Sequence, residues 1–430
     1  MPRRFRLFEA FGVELEYMIV DRDTLRVMPV CDRLLCDVAG QPGAQAEYED
    51  GSNVPTEVVL GPISWSNELV AHVVEFKTTD PAPTLSDLPS LFQQSVTRAN
   101  ALLSRHNAML LPAAMHPTMD PFREMRLWTH GYNEVYEAFN RIFDCRGHGW
   151  ANLQASHLNL PFDGDDEFGR LHGALRGLLP LMPALAASSP VMDGRVTGLL
   201  DNRMEVYRGN SRRAPSIAGR IVPEPVFTES AYRRQILQKI YDDLAPMDPD
   251  GVLRDEWCNS RGCIARFSRG SIEVRVLDVQ ECPAADLAIG AAIVGAARAI
   301  ATGRLGSLEQ LASLDTARLE SILLAVIRDA EQAPVSDSEY LAALGIPEIG
   351  GRGTAGEVWR HLIERTLAPS AEYPAWRPAL ETITTRGTLS RRLSRSLGAG
   401  PGADRIAAVY RNLAGALAEG RQFDDARTIP

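Results

Sequence analysis

The segment GVELEYMIVD, residues 12–21, alternates apolar and polar side chains along its length. In an extended chain, Val13 and Leu15 point to one side, and Glu14 and Glu16 point to the other. This alternation is typical of a strand with one buried face. Such strands pair mainly in antiparallel sheets, because the strands of doubly wound parallel sheets are apolar on both faces.

Other segments carry the same alternation at widely separated places. The predicted strands are LVAHVVEFKT (69–78), a short segment at 109–116, WANLQASHLNL (150–160) and SIEVRVLD (271–278). Helical periodicity fills the intervals and almost all of the chain after residue 284. The predicted helical segments are 85–107, 133–143, 171–187, 229–244, 284–302, 308–332, 356–367 and 404–420. This order of elements predicts an α+β fold built on one antiparallel sheet.

We predict a single catalytic domain over residues 1–425, in which residues 284–425 form a helical C-terminal layer. Loops are predicted where Gly, Pro and charged residues accumulate. These stretches are 40–61, 195–220, 350–353, 388–402 and the tail after 421.

The composition limits the classes of partner. The 430 residues are 45% hydrophobic and 23% charged, and their formal net charge is −10. A chain of this kind can bury a large core, and its negative charge argues against nucleic acid or an anionic membrane as a partner. Lys77 and Lys239 are the only lysines. No phosphate-binding loop of the form G-x-x-x-x-G-K-[ST] is present, which excludes a P-loop NTPase.

The cysteines and the apolar stretches indicate a reduced, cytoplasmic setting. None of the six cysteines forms a C-x-x-C pair, and the histidines are not spaced around them as a zinc site requires. The first residues, MPRRFRLFEAFG, lack an apolar signal core. The apolar stretches at 178–192 and 287–301 contain Pro, Ser or Arg and are predicted to be too short to cross a bilayer.

The polar faces of the predicted strands carry an unusual set of side chains. The positions that share a face are Glu14 with Glu16, His157 with Asn159, and Glu273 with Arg275, while Glu75 lies beside Lys77. For any one strand, charges that face water are the simpler interpretation. However, carboxylates two residues apart repel each other and need a compensating positive charge. If these strands were neighbours, their carboxylates would converge, and oxygen ligands in that number suit Mg²⁺ or Mn²⁺ rather than Zn²⁺.

A second signal is a group of arginines in DNRMEVYRGNSRRAPSIAGR, residues 201–220. Guanidinium groups bind phosphate or carboxylate through two parallel hydrogen bonds. A solvated basic loop is an equally simple interpretation, but in so acidic a chain the grouping favours an anion site. Its candidate residues are Arg203, Arg208, Arg212, Arg213 and Arg220.

At these residues the sequence resembles the glutamate–cysteine ligase family, and in particular its bacterial carboxylate–amine ligase branch. GVELEYMIVD, ELVAHVVEFKT, SHLNLP and IEVRVLD occur in the family's order, and MEVYRGNSRRAPSIAGRIVPEPVF and TRGTLSRRL are similar to that branch. The resemblance covers roughly residues 12–400. It implies a curved antiparallel cradle of about six strands, related to the glutamine synthetase catalytic fold, with helices packed outside.

The resemblance also implies an activity. It leads us to expect a carboxylate–amine ligase that uses ATP and Mg²⁺ or Mn²⁺ to activate glutamate as γ-glutamyl phosphate, which an amine then attacks. The sequence does not identify the amine acceptor, and cysteine is one of the candidates. The oligomeric state also stays open, with a homodimer among the candidate assemblies.

The resemblance assigns roles to residues that match the family's motifs. The expected metal ligands are Glu14, Glu16, Glu68, Glu75, His157 and Glu273. Glu68 precedes Glu75 by seven residues, so it cannot share that strand face and must reach in from the preceding loop. Arg275 would neutralise the transferring phosphoryl group, and it forms the expected catalytic pair with Glu273. The residues expected to bind ATP or substrate are Asn159, Arg203, Arg208, Arg212 and Arg213.

Lys77 departs from the family's pattern, and residues 228–269 have no clear assignment. Three other functions stay compatible with the sequence. A guanidino kinase or another small-molecule phosphotransferase would accumulate a phosphorylated product without forming an amide. A degenerate member would bind ligands without turning over ATP, although the intact acidic and arginine positions argue against it. A metal hydrolase would cleave a γ-glutamyl amide without ATP.

Overall fold

The computed structural model describes residues 4–49, 51–131, 133–349 and 353–426. An antiparallel sheet lies at its centre. The strands of the described ranges are β1 (Gly12–Asp21), β2 (Gln45–Glu47), β3 (Glu57–Leu60), β4 (Ile63–Asn67), β5 (Val73–Thr78), β6 (Ala108–Leu111), β7 (Ala155–Pro161), β8 (Val191–Met192), β9 (Arg195–Val196), β10 (Cys263–Arg266), β11 (Ser271–Asp278), β12 (Pro334–Val335) and β13 (Gly353–Thr354).

Nine of these strands form the main sheet, and β8–β9 and β12–β13 form two small pairs. The order in the main sheet is β10–β11–β7–β1–β5–β4–β3–β2, and β6 pairs with the second half of β1, beyond the end of β7. The predicted α+β class and antiparallel sheet are confirmed. The sheet is larger than the expected six or so strands, because β2 and β3 lie inside the loop predicted at 40–61 and β4 follows it directly.

The β3–β4 hairpin explains this difference. Leu60 pairs with Ile63 across a turn that consists of Gly61 and Pro62. Gly61 has a φ of +74°, which a glycine adopts without strain at the first position of a two-residue hairpin turn. The two strands are four and five residues long, so their alternation is too short to stand out in the sequence.

The helices occupy both sides of the sheet and most of the chain after β11. In chain order, those of the described residues are α1 (Cys31–Ala39), α2 (Leu88–Leu103), α3 (Pro121–Glu124), α4 (Asn133–Phe143), α5 (His148–Ala151), α6 (Gly164–Leu178), α7 (Pro183–Ala186), α8 (Asn202–Tyr207), α9 (Glu229–Tyr232), α10 (Gln238–Leu244), α11 (Pro283–Ala301), α12 (Leu308–Ser313), α13 (Thr316–Asp329), α14 (Ser338–Ala343), α15 (Ala355–Thr366), α16 (Tyr373–Arg386), α17 (Leu389–Leu397) and α18 (Ala403–Glu419). A π-helical turn, Arg233–Leu237, joins α9 to α10.

Two stretches predicted to be loops contain helices. The stretch 195–220 contains α8, whose first turn is capped by the Asp201 side chain, which accepts a hydrogen bond from the Met204 backbone N–H. The stretch 388–402 contains α17, which is capped in the same way by Thr388. The polar composition of α17 hid its three leucines, which recur every fourth residue and are typical of a helix buried on one side.

Several predicted boundaries also change. The predicted strand at 69–78 begins only at Val73, and the one at 150–160 begins at Ala155, since residues before it form α5. Pro161 is the last residue of β7 and pairs with Ser271, a position where its missing N–H is tolerated. In the loop predicted at 350–353, residues 350–352 lie outside the described residues, and Gly353 begins β13.

The helix α11 is a core helix. By length and composition it is the one described helix that could cross a membrane, but 89% of its apolar window is buried inside the protein. The apolar stretch at 287–301, which was predicted to be too short to span a bilayer, belongs to this 19-residue helix. Its apolar character follows from contacts with surrounding helices, namely α2, α6, α15 and α16.

The two faces of β1 meet different surroundings. Leu15, Tyr17 and Ile19 are fully buried in the main hydrophobic core together with residues of α2, α6 and α11. On the other face, Met18 and Val20 belong to a second core that includes the apolar residues of α17 and α18. The first half of this second face carries Glu14 and Glu16. The C-terminal helices therefore cover one end of the face on which the acidic residues lie.

Candidate active site

The register of the sheet places the polar faces of neighbouring strands side by side. Glu14 on β1 lies opposite His157 on β7 and Lys77 on β5, and Glu16 lies opposite Glu75 on β5. Residues that face one another on adjacent strands point to the same side of a sheet. These side chains therefore form one acidic patch, on the side of the sheet that faces away from the main core.

A third strand completes the patch. Glu273 on β11 lies opposite Asn159 on β7, and Asn159 lies opposite Gly12 on β1. A Cβ atom on Gly12 would lie 2.9 Å from Asn159 Cβ, which is too close for two carbon atoms. The glycine leaves room for Asn159 Nδ2 to donate a hydrogen bond to Glu14 Oε1 at 3.1 Å.

One group of side chains in the patch has the spacing of a metal site. Glu14, His157 and Glu273 each bring one ligand atom within 4.8 Å of the others. His157 Nδ1 lies 2.9 Å from Glu14 Oε2. Glu273 is buried and accepts hydrogen bonds from Arg266 Nη1, at 3.2 Å, and from Arg275 Nε. Residues from three distant segments of the chain thus converge.

A second group lies beside the first and shares its histidine. Glu16, Glu75 and His157 also bring ligand atoms within 4.8 Å of one another, and His157 Nε2 lies 3.9 Å from Glu16 Oε1. Glu16 Oε2 accepts a hydrogen bond from the Ala155 backbone N–H at 2.7 Å, and Glu75 Oε1 accepts one from Ser66 Oγ at 2.9 Å. Carboxylates with a single imidazole fit Mg²⁺ or Mn²⁺, whereas Zn²⁺ favours more nitrogen or sulfur ligands.

Glu68 approaches the same patch from the end of β4. Burial raises the pKa of Glu68 well above its usual range, and the nearby charges of Glu16 and Glu75 raise it further. Glu68 was predicted to lie outside the strand of Glu75, and in the structure it directly follows β4 and precedes β5. The strand that leads into Glu68, β4, was not predicted.

The pKa values of the residues in the patch are shifted because several charged side chains are buried close together. Burial alone would raise the pKa of Glu14, but the hydrogen bond and charge of His157 lower it to about 2. Burial would lower the pKa of His157, but its contacts with Glu14 and Glu16 raise it to about 9. Burial and the charge of Glu14 raise the pKa of Glu75 to about 7. Protons thus partly neutralise the patch, and a divalent ion bound there would displace them.

Lys77 and Glu57 extend the patch toward the β2 edge of the sheet. Lys77 Nζ lies 2.8 Å from Glu57 Oε2 and 3.5 Å from Glu75 Oε1, and it donates a hydrogen bond to Ser66 Oγ at 3.1 Å. Glu57 on β3 lies opposite Ser66 on β4, which lies opposite Glu75. Glu57 was not among the predicted site residues, because β3 lies in a stretch that was predicted to be a loop.

Arg203 is buried behind the patch rather than exposed in it. Its Nη2 donates a hydrogen bond of 2.7 Å to the backbone carbonyl of Arg275, and its Nη1 lies 3.4 Å from Asp278 Oδ1. Asp278 is itself held by the Ser188 backbone N–H and the Ser189 hydroxyl, each at 2.8 Å. Arg203 therefore holds β11 at two points, at Arg275, two residues beyond Glu273, and at Asp278, the last residue of the strand.

The other arginines of residues 201–220 have separate partners. These contacts are Arg208 with Glu205, Arg212 against Gly209, Arg213 with the Ile142 carbonyl, and Arg220 with Glu320. The structure thus brings Arg275 and Asn159 to the acidic patch and distributes these arginines among local contacts. A role for them in ATP or substrate binding stays a prediction.

Comparison with known proteins identifies the family of the chain. Residues 10–331 match the sequence profile of glutamate–cysteine ligase family 2. The chain belongs to this family. A glutamate–cysteine ligase of Halobacterium salinarum is 24% identical over 287 residues, which cover 66% of this chain and 68% of that protein. An uncharacterized protein of Archaeoglobus fulgidus is 33% identical over 288 residues, which cover 67% of this chain and 74% of that protein.

Some relatives are matched over less of their length, for example 65% of one from Rubrobacter xylanophilus. The family match confirms the resemblance noted in the sequence and, at the level of the family, the prediction of a ligase. Solved structures extend the likeness to the fold. A glutamate–cysteine ligase from Francisella tularensis in complex with AMP superposes with a TM-score of 0.57 at 13% identity, over 100% of this chain and 97% of that one.

A bifunctional glutathione synthetase from Pasteurella multocida gives a TM-score of 0.54, also at 13% identity, and covers 96% of this chain and 53% of that one. At such low identity these two structures inform the fold alone. They show that the fold of this chain is similar to the folds of these two proteins.

Proposed function

We propose that the protein is an ATP- and divalent-metal-dependent carboxylate–amine ligase that works through an acyl phosphate. The observation that carries the proposal is the convergence of Glu14, Glu16, Glu75, Glu273 and His157 on one sheet face, with Arg275 beside them. This combination suits phosphoryl transfer, which requires positioning and charge neutralisation more than covalent participation by the protein.

The proposed metal ligands follow the two groups of the patch. Glu14 and Glu273 would hold one ion, and Glu16 and Glu75 would hold a second. His157 belongs to both groups and would bind one of the two ions, because a neutral imidazole has a single free nitrogen lone pair. Glu68 lies within electrostatic reach of both sites. When bound, such ions would neutralise the phosphates of ATP and align them. The buried Glu273, held by two arginines, would keep its orientation as the ligands change.

The two chemical steps share one patch. In the first step, an oxygen of the substrate carboxylate attacks the γ-phosphorus of ATP, ADP leaves, and an acyl phosphate forms. Arg275 would stabilise the negative charge on the transferring phosphoryl group. In the second step, the amine nitrogen attacks the acyl carbon, phosphate leaves, and an ionised carboxylate of the patch accepts the amine proton.

The finer assignments rest on membership in glutamate–cysteine ligase family 2. We propose glutamate as the acyl donor, so that the product is a γ-glutamyl amide, and we leave the amine open with cysteine as the first candidate. We also propose that the enzyme acts in the cytoplasm and that residues 1–425 form one catalytic domain. A homodimer is one candidate assembly, and the oligomeric state of the purified protein would test it.

A screen for ADP release tests the function. The purified chain would be incubated with ATP, Mg²⁺, one of several acidic donors and one of a panel of amines, with product masses recorded. ADP release that requires both a donor and an amine, with an amide product, supports the ligase. A phosphorylated product without an amide would indicate a phosphotransferase, ATP-independent cleavage of a γ-glutamyl amide would indicate a hydrolase, and no turnover with any pair would indicate a binding protein.

A further inference from the structure

Lys77 is a permanent positive charge inside the acidic patch. It is one of two lysines in the chain, and its side chain is 27% exposed. Its Nζ is in contact with the carboxylates of Glu57 and Glu75 and with the hydroxyl of Ser66, at 2.8, 3.5 and 3.1 Å. An ammonium group has three N–H donors and no acceptor. The Ser66 hydroxyl accepts a hydrogen bond from Lys77, and the carboxylates of Glu57 and Glu75 form ion pairs with it.

We propose that the Lys77 ammonium takes the place of a divalent ion at the Glu57 end of the patch. Glu57 then forms an ion pair with the lysine and does not bind a metal. This inference rests on the metal-binding part of the proposed function. The two groups of ligands with metal spacing are Glu14–His157–Glu273 and Glu16–Glu75–His157, and among the described residues Glu57 belongs to neither. Glu57 nevertheless faces the same patch, and its partner there is Lys77.

Glu75 connects the lysine to the proposed metal site. Its Oε1 accepts the hydrogen bond from Ser66 and faces Lys77 Nζ, while Glu75 is also a member of the second group of potential ligands. A carboxylate has two oxygens, so Glu75 can contact Lys77 through one oxygen and bind a metal ion through the other. Glu57 has no such second role, because the described metal-spaced groups do not include it. Removal of the Lys77 charge would therefore leave Glu57 and one side of Glu75 free to bind a further ion.

The charge of Lys77 is well secured by its surroundings. Its Nζ lies between the carboxylates of Glu57 and Glu75, and Glu14 lies opposite Lys77 across the β1–β5 pair. A fixed cation differs from a metal ion because it does not dissociate at low metal concentration.

The test counts the Mn²⁺ ions bound per chain, without ATP, from the electron paramagnetic resonance signal of free Mn²⁺. We expect Lys77→Ala to bind one more ion than the wild type, and the double variant Lys77→Ala/Glu57→Gln to return to the wild-type number. Lys77→Arg, which keeps the charge, should also give the wild-type number. Lys239→Ala is the matched control, since the Lys239 side chain is 66% exposed and contacts Asp243 on its own helix.

The outcomes separate this inference from the proposed function. Equal numbers of ions in the wild type and in Lys77→Ala would overturn the inference and leave the ligase proposal standing. Glu57→Gln decides the matter even if Lys77→Ala does not fold, because this variant keeps the lysine. An unchanged number of ions in Glu57→Gln supports the inference, and the loss of one ion would make Glu57 a metal ligand and overturn it. A wild-type protein that binds no Mn²⁺ would contradict both.

Discussion

The carboxylate of Glu14 and the imidazole of His157 face each other across the β1–β7 pair, with Glu14 Oε2 2.9 Å from His157 Nδ1. The contact lowers the pKa of Glu14 to about 2 and raises that of His157 to about 9, although burial acts against both changes. A metal ligand must give up its proton. The pair therefore makes cation binding in the patch dependent on pH.

We expect the affinity for Mn²⁺, measured without ATP, to rise as the pH increases from about 6 to about 9, because bound metal displaces protons from its ligands. Glu75 loses its proton near its pKa of about 7, and His157 near about 9. Calorimetric titrations in two buffers of different ionisation enthalpy would report the protons released. An affinity that does not change over this range would contradict the assignment of these ligands.

The same shifts set the direction of the pH effect on folding in the presence of a chelator. The folded-state pKa values of Glu75 and His157 lie above their usual values of 4.5 and 6.5. Their contribution to stability is therefore complete below those values and is lost as the pH rises through about 7 and about 9. The Tm should fall over this range, and added Mg²⁺ should offset the fall by binding the folded state. A Tm that rises with pH would contradict the argument.

Glu273→Gln and Arg275→Ala should each lower ADP release by about 100-fold or more, the loss typical when a group that stabilises charge in the transition state is removed. Both side chains lie in the patch and contact each other. Little loss of folding is expected, and circular dichroism and thermal unfolding would verify it. The matched controls are Glu381→Gln and Arg377→Ala, which alter an exposed ion pair on α16. Normal ADP release in either patch variant would contradict the site assignment.

The sequence was most informative where strands are long and carry paired acidic residues. The alternation in β1 and β11 placed Glu14, Glu16 and Glu273 on polar faces, and the register then brought those faces together. Alternation within one strand gives no strand order, so this convergence was an expectation from family resemblance and became visible only in the pairing of β11 with β7 and of β7 with β1.

The parts that the sequence did not predict have physical reasons. Glu57 lies on a four-residue strand, whose periodicity is too short to recognise, and its partner Lys77 comes from a different strand. The arginines of residues 201–220 are close in sequence, but α8 turns Arg203 toward Asp278 and leaves Arg208 beside Glu205. Proximity in sequence was therefore a poor guide to a shared site, since a short helix directs neighbouring side chains to different sides.

Gly12→Ala should disturb the patch through Asn159. The new methyl group would lie 2.9 Å from Asn159 Cβ, so Asn159 must move and weaken its hydrogen bond to Glu14. We expect a loss of about 1–3 kcal/mol in the free energy of unfolding, as for other overpacked positions, and slower ADP release. Gly415→Ala is the control, because a Cβ there meets no atom within 4 Å and alanine favours the helix. Unchanged stability and turnover in Gly12→Ala would contradict the packing argument.

The buried ion pair of Glu281 and Arg392 tests whether the C-terminal helices and the sheet unfold together. Arg392 Nη1 on α17 lies 2.7 Å from Glu281 Oε1, just before α11, and neither side chain is exposed. Arg392→Met would leave Glu281 as an uncompensated buried charge and should cost about 3–5 kcal/mol, and adding Glu281→Gln should restore part of the loss. Arg377→Met, at an exposed pair, is the control and should leave the unfolding curve unchanged. If residues 1–425 form one domain, Arg392→Met should lower the midpoint of a single denaturant transition. If a second transition appears, and only that transition shifts in the variant, the helical layer unfolds independently of the sheet.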